Sequence, residues 1–389
     1  MAPQATAKPA AGKQQQVKPR SFLVGTQEVI EGNDYDTSYT NPAAGTSGTP
    51  WALQATGWLK GLHLLVTGTG LTAGTVTADG PFNIFPNIQL SDVNNEAIFG
   101  PFDGYSAFVT NKYGGYYFSD DPSTNAVWAY TGTVTTNNFT FVLYIPLEIV
   151  NRDPLGPVAS VNNTATLTLN YTLNAAAVFT TTTGTLVVRV RGTQDFYWQP
   201  RKTDKQGRPI ASEPPASGTT QYWTQGSYNL NGGIVNQQLI TGLGYPFREY
   251  LFLNRGVDTT RALGETNWPD PMIAIKFEAN MLLSNLPKVS WINLQAKQYG
   301  YNGAADSRGA GVAVGKENGL YPLNFNDDFF LQKPGGETRR SYLQTSPGAN
   351  FIVNGSFAAA STLYAIVNYI APGGGAANSQ NTSGLTNGS

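Results

Sequence analysis

The sequence predicts an all-β protein made of two tandem sandwiches or barrels, and three observations carry that reading. Apolar and polar residues alternate with period two along most of the chain. In FTFVLYIPLEI (139–149), for example, Phe139, Phe141, Leu143, Ile145, Leu147 and Ile149 form an unbroken apolar row. Period two is the repeat of a strand with one face buried. Charged residues make up only 13% of the chain, against about 25% in ordinary globular proteins. Thr, Asn, Gly and Ser supply the polarity instead, as they do in strands joined by turns. Finally, the strand-like pattern breaks off at 197–224, where Pro200, Pro209, Pro214 and Pro215 sit among charged residues. Such a stretch is long for a loop within one compact unit and reads as a connector between two.

Composition excludes several kinds of chemistry. The 389 residues contain no cysteine, which removes disulfides, thiolate nucleophiles and thiolate metal sites. The one histidine is His63, in WLKGLHLLV, on the face opposite Trp58, Leu62, Leu64 and Val66; it reads as an ordinary strand residue. The net charge of −1 carries no nucleic-acid footprint, so no sequence-specific nucleic-acid binding is expected. No run approaches the roughly 20 apolar residues of a membrane span, and the N-terminus lacks the apolar segment of a secretory signal. The expectation is a soluble protein kept inside the producing cell.

Along the chain, residues 1–50 read as a basic arm and lead-in. Lys8, Lys13, Lys18 and Arg20 come before any acidic residue. The stretch is either a disordered tail or an arm that orders on an anionic surface such as lipid headgroups, nucleic acid or a neighbouring subunit. SFLVGTQEVI (21–30) adds a possible strand, and 31–50 is turn-rich. The first unit, 51–196, contains GWLKGLHLLVTG (57–68), PFNIFPNIQLSD (81–92), GYSAFVTN (104–111), AVWAYTGTV (126–134), the 139–149 strand, ATLTLNYTLN (165–174) and TLVVRVRG (185–192). GTGLTAG (68–74) reads as a turn, because no helix follows it to make a phosphate cradle.

The connector spans 197–224. The second unit, 225–372, contains SYNLNGGIVNQQLI, PFREYLFLNRG (246–256), MIAIKFEANMLL (272–283), VSWINLQAK (289–297), LYPLNFNDDFFL (320–331), ANFIVNGSF (349–357) and STLYAIVNYIAP (361–372). GYNGAADSRGAGVAVGKENG (300–319) is a Gly/Ala-rich loop, and 373–389 is a flexible tail. No stretch shows a helical period over three turns. Each unit holds about eight strand candidates, the number in a jelly roll of two Greek keys. The fold class is therefore two tandem eight-stranded jelly rolls. A carbohydrate-binding or adhesive protein with two sandwich domains fits the same pattern, and a β-rich hydrolase fits it less well.

Candidate chemical residues are sparse. A glycosidase needs two carboxyls across a cleft; Glu148, Glu265, Asp270, Glu278 and the pair Asp327–Asp328 are the available acids. Glu148 and Glu278 lie on the polar faces of their strands, where a solvated charge is expected. Glu148 reads as a solvated or inter-subunit charge paired with Arg152, and Pro146, which has no amide for the ladder, as the point where its strand bends or leaves the sheet. Asp120–Asp121 and Asp327–Asp328 read as turn-forming acids and not as cation ligands. The chain is expected to be no enzyme and to need no cofactor or metal.

Several stretches resemble the major capsid proteins of the tectivirus–adenovirus lineage. LYIPLEIVNRDPLGPV followed by ATLTLNYTLN is similar to the end of the first jelly roll in tectivirus capsid proteins. YPFREYLFLNRG resembles that family's aromatic strand opening onto an Asn/Gly turn. NGLYPLNFNDDFF, RRSYLQTSPGANFIVNGSF and STLYAIVNYIAP resemble its closing strands. The matches are scattered over 50–372; 197–224 and 300–319 have no counterpart.

The resemblance implies a double jelly roll assembled as a pseudo-hexagonal homotrimer that tiles an icosahedral shell over an internal membrane. It implies that Lys8, Lys13, Lys18 and Arg20 contact lipid at the inner surface, each contributing about 1 kcal/mol on an anionic membrane. Tyr113, Tyr116 and Tyr117, in KYGGYYF, are then read as aromatics of the subunit seam in preference to a carbohydrate site. The implied partners are further copies of the chain, neighbouring trimers, inner-membrane lipids, and penton, spike and minor capsid proteins. The implied location is the virion, after assembly in the host cytoplasm.

Overall fold

The computed structural model describes residues 26, 28–54, 57–92, 95–117, 138–149, 156–160, 166–198, 203, 205–207, 219–239, 244–257, 259–299, 317–326, 341–346 and 348–372. The first barrel contains β1 (Glu28–Thr40), β2 (Thr46–Ser47), β3 (Trp51–Ala52), β4 (Gly57–Val76), β5 (Asn87–Ser91) and β6 (Ala97–Phe102). It is completed by β7 (Phe139–Pro146), β8 (Val158–Ser160), β9 (Thr168–Leu173) and β10 (Phe179–Trp198). The second contains β11 (Thr219–Leu230), β12 (Gly233–Leu239), β13 (Phe247–Gly256) and β14 (Met272–Phe277). Its remaining strands are β15 (Asn280–Leu286), β16 (Leu320–Asn324), β17 (Phe351–Phe357) and β18 (Ser361–Pro372). Among the described residues four α-helices and a 3-10 turn (Phe82–Ile84) punctuate the strands: α1 (Gly104–Tyr113), α2 (Ala175–Val178), α3 (Arg261–Asn267) and α4 (Lys288–Tyr299).

Both barrels have the same strand order. In the first, one sheet runs β1-β10-β4-β7, with β8 added on β4; the other runs β6-β5-β9-β2, with β3 also on β9. In the second, the sheets run β11-β18-β13-β16 and β12-β17-β14-β15. Taking β2 and β3 as one stave, leaving the short added strand β8 out of the count and numbering the staves along each unit, both barrels read one-eight-three-six and two-seven-four-five. That is two jelly rolls in tandem.

Alternation places the side chains as expected. On β7, Phe139, Phe141, Leu143 and Ile145 are buried while Thr140, Val142 and Tyr144 are half-buried. Each inward side chain contributes about 1.5–3 kcal/mol of burial. β7 pairs only with β4 among the described strands, and Pro146 is its last residue. The missing proline amide therefore falls at the end of an edge strand. The free edge is covered by Asn111 of α1, whose side chain accepts from Tyr144 N at 2.7 Å and donates to Tyr144 O at 2.6 Å. A side-chain amide thus takes the place of a further strand and blocks edge pairing.

The two barrels share a sheet. β6 runs parallel to β11 with Phe99 opposite Trp223, which joins two four-stave sheets into one that extends from β16 to β2. The second-barrel half of this sheet is a wall with apolar groups on both faces. Phe247, Tyr250 and Phe252 of β13 point into the second barrel's core, while Leu251 and Leu253 join the cluster that fills the first. All ten residues of β13 are buried as a result.

Four readings of the sequence need correction. GYSAFVTN and VSWINLQAK are helices, not strands. α1 is buried on every side, so its apolar residues form no single stripe; Asp103 caps it by accepting from Ser106 N at 2.6 Å. Its first residue must be glycine, because a Cβ on Gly104 would lie 1.9 Å from Phe82 O. α4 begins directly after Pro287, where Asp270 accepts from Lys288 N at 2.9 Å. GTGLTAG is not a turn but the far half of β4, held against β10 with shifts of register around Gly184. The turn-rich lead-in is largely β1, paired with β10 from Glu28 to Thr40. At the connector, strand structure extends to Trp198 and resumes at Thr219.

His63 lies on the outer face of β4 with its ring centroid 4.6 Å from that of Tyr144. Burial, helped by the Lys60 charge, lowers its pKa from 6.5 to about 4. Between these values the unfolded chain takes up a proton that the folded chain refuses, so stability is lost as pH falls from 6.5 towards 4. The full loss is about 3 kcal/mol. Urea denaturation of wild type and His63→Gln at pH 7 and pH 4.5 isolates this contribution. The gap between the two proteins should move in favour of the variant at the lower pH; a gap that does not change with pH contradicts the assignment.

Candidate functional site

Buried polar groups gather where the first barrel meets the wall sheet, and two networks hold this joint. The first centres on Glu317, which is fully buried just before β16. Its carboxylate lies 3.0 Å from Lys112 Nζ and 2.8 Å from Arg261 Nη1, and accepts from Tyr105 OH at 2.7 Å. Its backbone N donates to Tyr113 OH at 2.9 Å. Arg261 also pairs with Asp79 at 2.7 Å, and Asp79 pairs with Arg255. The Tyr105 ring lies under both guanidinium groups, 4.5 Å from Arg261 and 5.3 Å from Arg255.

Asp79, Asp103, Tyr105, Lys112 and Tyr113 come from the first barrel; Arg255, Arg261 and Glu317 come from the second. Three cations therefore face three carboxylates across the joint. Burial raises the pKa of Asp103, with Arg255 and Ser106 N–H acting against it. Burial alone would lower that of Arg255, but Asp79 and Asp103 outweigh it and hold the group above its ordinary value.

The second network centres on Gln221 of β11. Its Oε1 accepts from Tyr116 OH at 2.9 Å, Asn368 Nδ2 at 3.1 Å and Trp223 Nε1 at 3.2 Å. Its Nε2 donates to Glu148 O at 2.8 Å. One side chain thus ties β11 and β18 to the turn after β7. Beside it, Arg248 donates to Gly114 O at 3.1 Å across the same boundary, 5.8 Å from the Tyr116 ring. Tyr299 meets Tyr113 edge to face at 5.0 Å and donates to Glu249 at 3.3 Å. Burial first, and then the Glu249 charge, pushes the Tyr299 hydroxyl well above the usual range.

Against this geometry the candidate residues fall as follows. Glu148 is not a solvated charge: it is buried, accepts from Tyr197 OH at 2.6 Å and lies 3.5 Å from Lys60, which also holds Asp195 at 3.2 Å. The strand ends at Pro146, so Glu148 has left the alternating register that would point it outward. Arg152 lies outside the described residues. Tyr113 and Tyr117 are buried within the chain and Tyr116 packs against them. The Tyr113 and Tyr116 contacts lie at the boundary between the two barrels of one chain. Tyr117 donates to Val142 O within the first barrel.

Glu265 is a brace, accepting from Tyr321 OH at 2.6 Å and Gly319 N at 2.7 Å. Glu278 occupies the β14–β15 turn with φ of 53° and accepts from Ser346. Lys8, Lys13, Lys18, Arg20, Asp120, Asp121, Asp327 and Asp328 lie outside the described residues. Among the described residues no group of three or more His, Asp or Glu side chains is placed to hold a metal.

No protein-family model matches the sequence, and no curated protein matches it. Solved structures do. The major capsid protein P2 of bacteriophage PM2 superposes with a TM-score of 0.52 at 10% identity, over 90% of this chain and 100% of that one. A chain from the atomic structure of Sulfolobus turreted icosahedral virus gives 0.55 at 11% identity, over 89% and 91%. PBCV-1 VP54, as fitted into a reconstruction of the virophage Sputnik, gives 0.51 at 12% identity, over 89% and 94%. The chain has the double-jelly-roll fold of major capsid proteins.

The Glu317 network yields a direct test. Glu317→Gln leaves Lys112 and Arg261 buried with too little counter-charge and should cost about 3–5 kcal/mol in chemical denaturation. Asp36→Asn, which breaks the exposed Asp36–Arg189 pair, should cost less than about 1 kcal/mol. Equal losses from the two variants would contradict the role given to the joint.

Proposed function

We propose that this chain is the major capsid protein of an icosahedral virus, working as a homotrimer whose six barrels form one pseudo-hexagonal block. The observation that carries the reading is the repeated strand order. Two barrels of identical topology in one chain, fused flank to flank, supply two equivalent walls, and three such chains supply six. The likeness over about nine-tenths of the chain to capsid proteins that differ from it at most positions supports the same reading. The buried acids support it as well, because Glu148, Glu265 and Glu317 are all engaged in bracing contacts.

In this account the protein performs no catalysis. Its partners are copies of itself, neighbouring trimers, penton, spike and minor capsid proteins, and an internal membrane. Its place is the virion, after assembly in the host cytoplasm. The arm carrying Lys8, Lys13, Lys18 and Arg20 lies beneath the block against anionic lipid. Removal of residues 1–20 should then leave the trimer intact but abolish flotation with vesicles rich in anionic lipid; undiminished flotation would remove the arm from the account.

Size-exclusion chromatography with light scattering tests the function itself. The purified chain should elute near three times 41.7 kDa. A monomer that persists at high concentration and binds glycans would replace the capsid reading with an adhesive one.

A further inference from the structure

Within the first barrel one amine and two acids are buried at a single point. Lys60, near the start of β4, is 2% exposed, Glu148 4%, and Asp195, near the end of β10, 7%. Lys60 Nζ lies 3.2 Å from Asp195 Oδ2 and 3.5 Å from Glu148 Oε2. The backbone arranges this meeting. Asp195 is opposite Gly61 and Phe196 is opposite Leu59, so Lys60 is the extra residue of a bulge in β4. Bulges of this kind re-aim a side chain. Just past the end of β7, the N–H groups of Leu147 and Glu148 both donate to Lys60 O at 2.8 Å, which folds Glu148 back over the same residue.

The surroundings are dry and aromatic. Tyr197 OH donates to Glu148 Oε1 at 2.6 Å, and the Tyr197 ring centroid is 5.2 Å from Lys60 Nζ. Tyr197 in turn packs with Trp58 and Ala159. A brace between β4 and β10 needs only one acid on the ammonium. An amine held against one carboxyl, with a second carboxyl on the same nitrogen to carry its protons, is what amide formation needs. Burial favours the reaction as well, because charges out of water are costly and an amide carries none.

We propose that the chain cross-links itself here, through an isopeptide bond from Lys60 Nζ to Asp195 Cγ with Glu148 as the proton carrier. Glu148 takes one proton from the ammonium, and the freed lone pair attacks Asp195 Cγ. The N–C bond forms and the bond from Cγ to one carboxylate oxygen breaks. Of the three hydrogens on Nζ, one stays on the amide and two leave with that oxygen as water. Glu148 relays both and ends as the carboxylate it began as. The charges of Lys60 and Asp195 cancel, so no oxidant, cofactor or outside acid is consumed.

The step happens once per chain and turns over no substrate, and it stands independently of the capsid reading. The bond would tie together β4 and β10, each 20 residues long, in a chain with no cysteine to make a disulfide. It sits close to Trp198, where β10 ends.

Mass spectrometry of the purified full chain, denatured before digestion, decides the matter. Wild type should weigh one water less than its sequence. Trypsin should leave the bond after Lys60 uncut, and residues 192–201 should appear as a branch on the peptide that contains Lys60. Lys60→Arg and Asp195→Ala should each show their full sequence mass and no branch. Glu148→Gln, with the circular dichroism spectrum of wild type, should lose the branch although amine and acid are both present.

A wild-type chain of full mass that trypsin cuts after Lys60, even after prolonged incubation at neutral pH, overturns the bond and leaves an ion pair in a capsid protein. Loss of a water without the branched peptide, as from cyclisation of an aspartate elsewhere, overturns it equally. A branch formed to the wild-type extent in Glu148→Gln removes Glu148 from the step. The wild-type result stands whether or not the variants fold.

Discussion

The β11-β18-β13-β16 sheet is apolar on both faces, and the rest of the molecule is arranged around that constraint. A jelly-roll sheet ordinarily keeps one face for solvent. Here the outer face is closed by the first barrel, which puts Trp223, Leu251 and Leu253 in contact with the core around Phe82, Phe99 and Phe108. Closing it also buries Arg248, Glu249, Arg255, Arg261 and Asn368, which must find partners or cost several kcal/mol each. Glu317, Asp79, Gly114 and Gln221 supply them for the arginines and Asn368, and Tyr299 with Arg248 for Glu249. An ion pair removed from water adds little net stability over a well-packed apolar pair, but one left half-broken is severely destabilising. The networks therefore act less as glue than as a register: only one seating of the two barrels satisfies them all.

A fixed seating gives the proposed function its physical basis. A shell subunit must present the same flanks to several neighbours, and two barrels free to rotate on a tether would not. The parallel pairing of β6 with β11 and the insertion of α1 against the wall sheet leave no such freedom without exposing apolar surface and stranding charges. Because both barrels follow one strand order, one rigid chain carries two flanks of the same architecture.

Much of the fold was legible from period-two alternation. The inward rows of β7, β9 and β10 fall where the sequence puts them, and Pro146 ends an edge strand for the reason its missing amide suggests. The failures share a cause. Alternation reports which side of a strand is wet, and at the joint nothing is wet. α1 lacks a polar face, so GYSAFVTN passes for a strand, and Glu148 passes for a solvated charge because the strand stops two residues before it. No local pattern in KYGGYYF says that Tyr113 and Tyr116 meet the second barrel of their own chain while Tyr117 stays within the first. One signal was present in PFREYLFLNRG, an apolar run with no polar face that nonetheless carries Arg248, Glu249 and Arg255. Charges inside a doubly apolar strand point to buried pairing, and hence to a second body packed on that strand.

Native-state hydrogen exchange read by mass spectrometry tests most directly whether the two barrels are one body. If the joint is part of a single core, peptides covering α1 and the first half of β11 should exchange only with global unfolding. Their protection should then equal that of the central strands β10 and β18. Fast exchange of α1 and of residues 219–224, with each barrel opening independently of the other, would contradict the account.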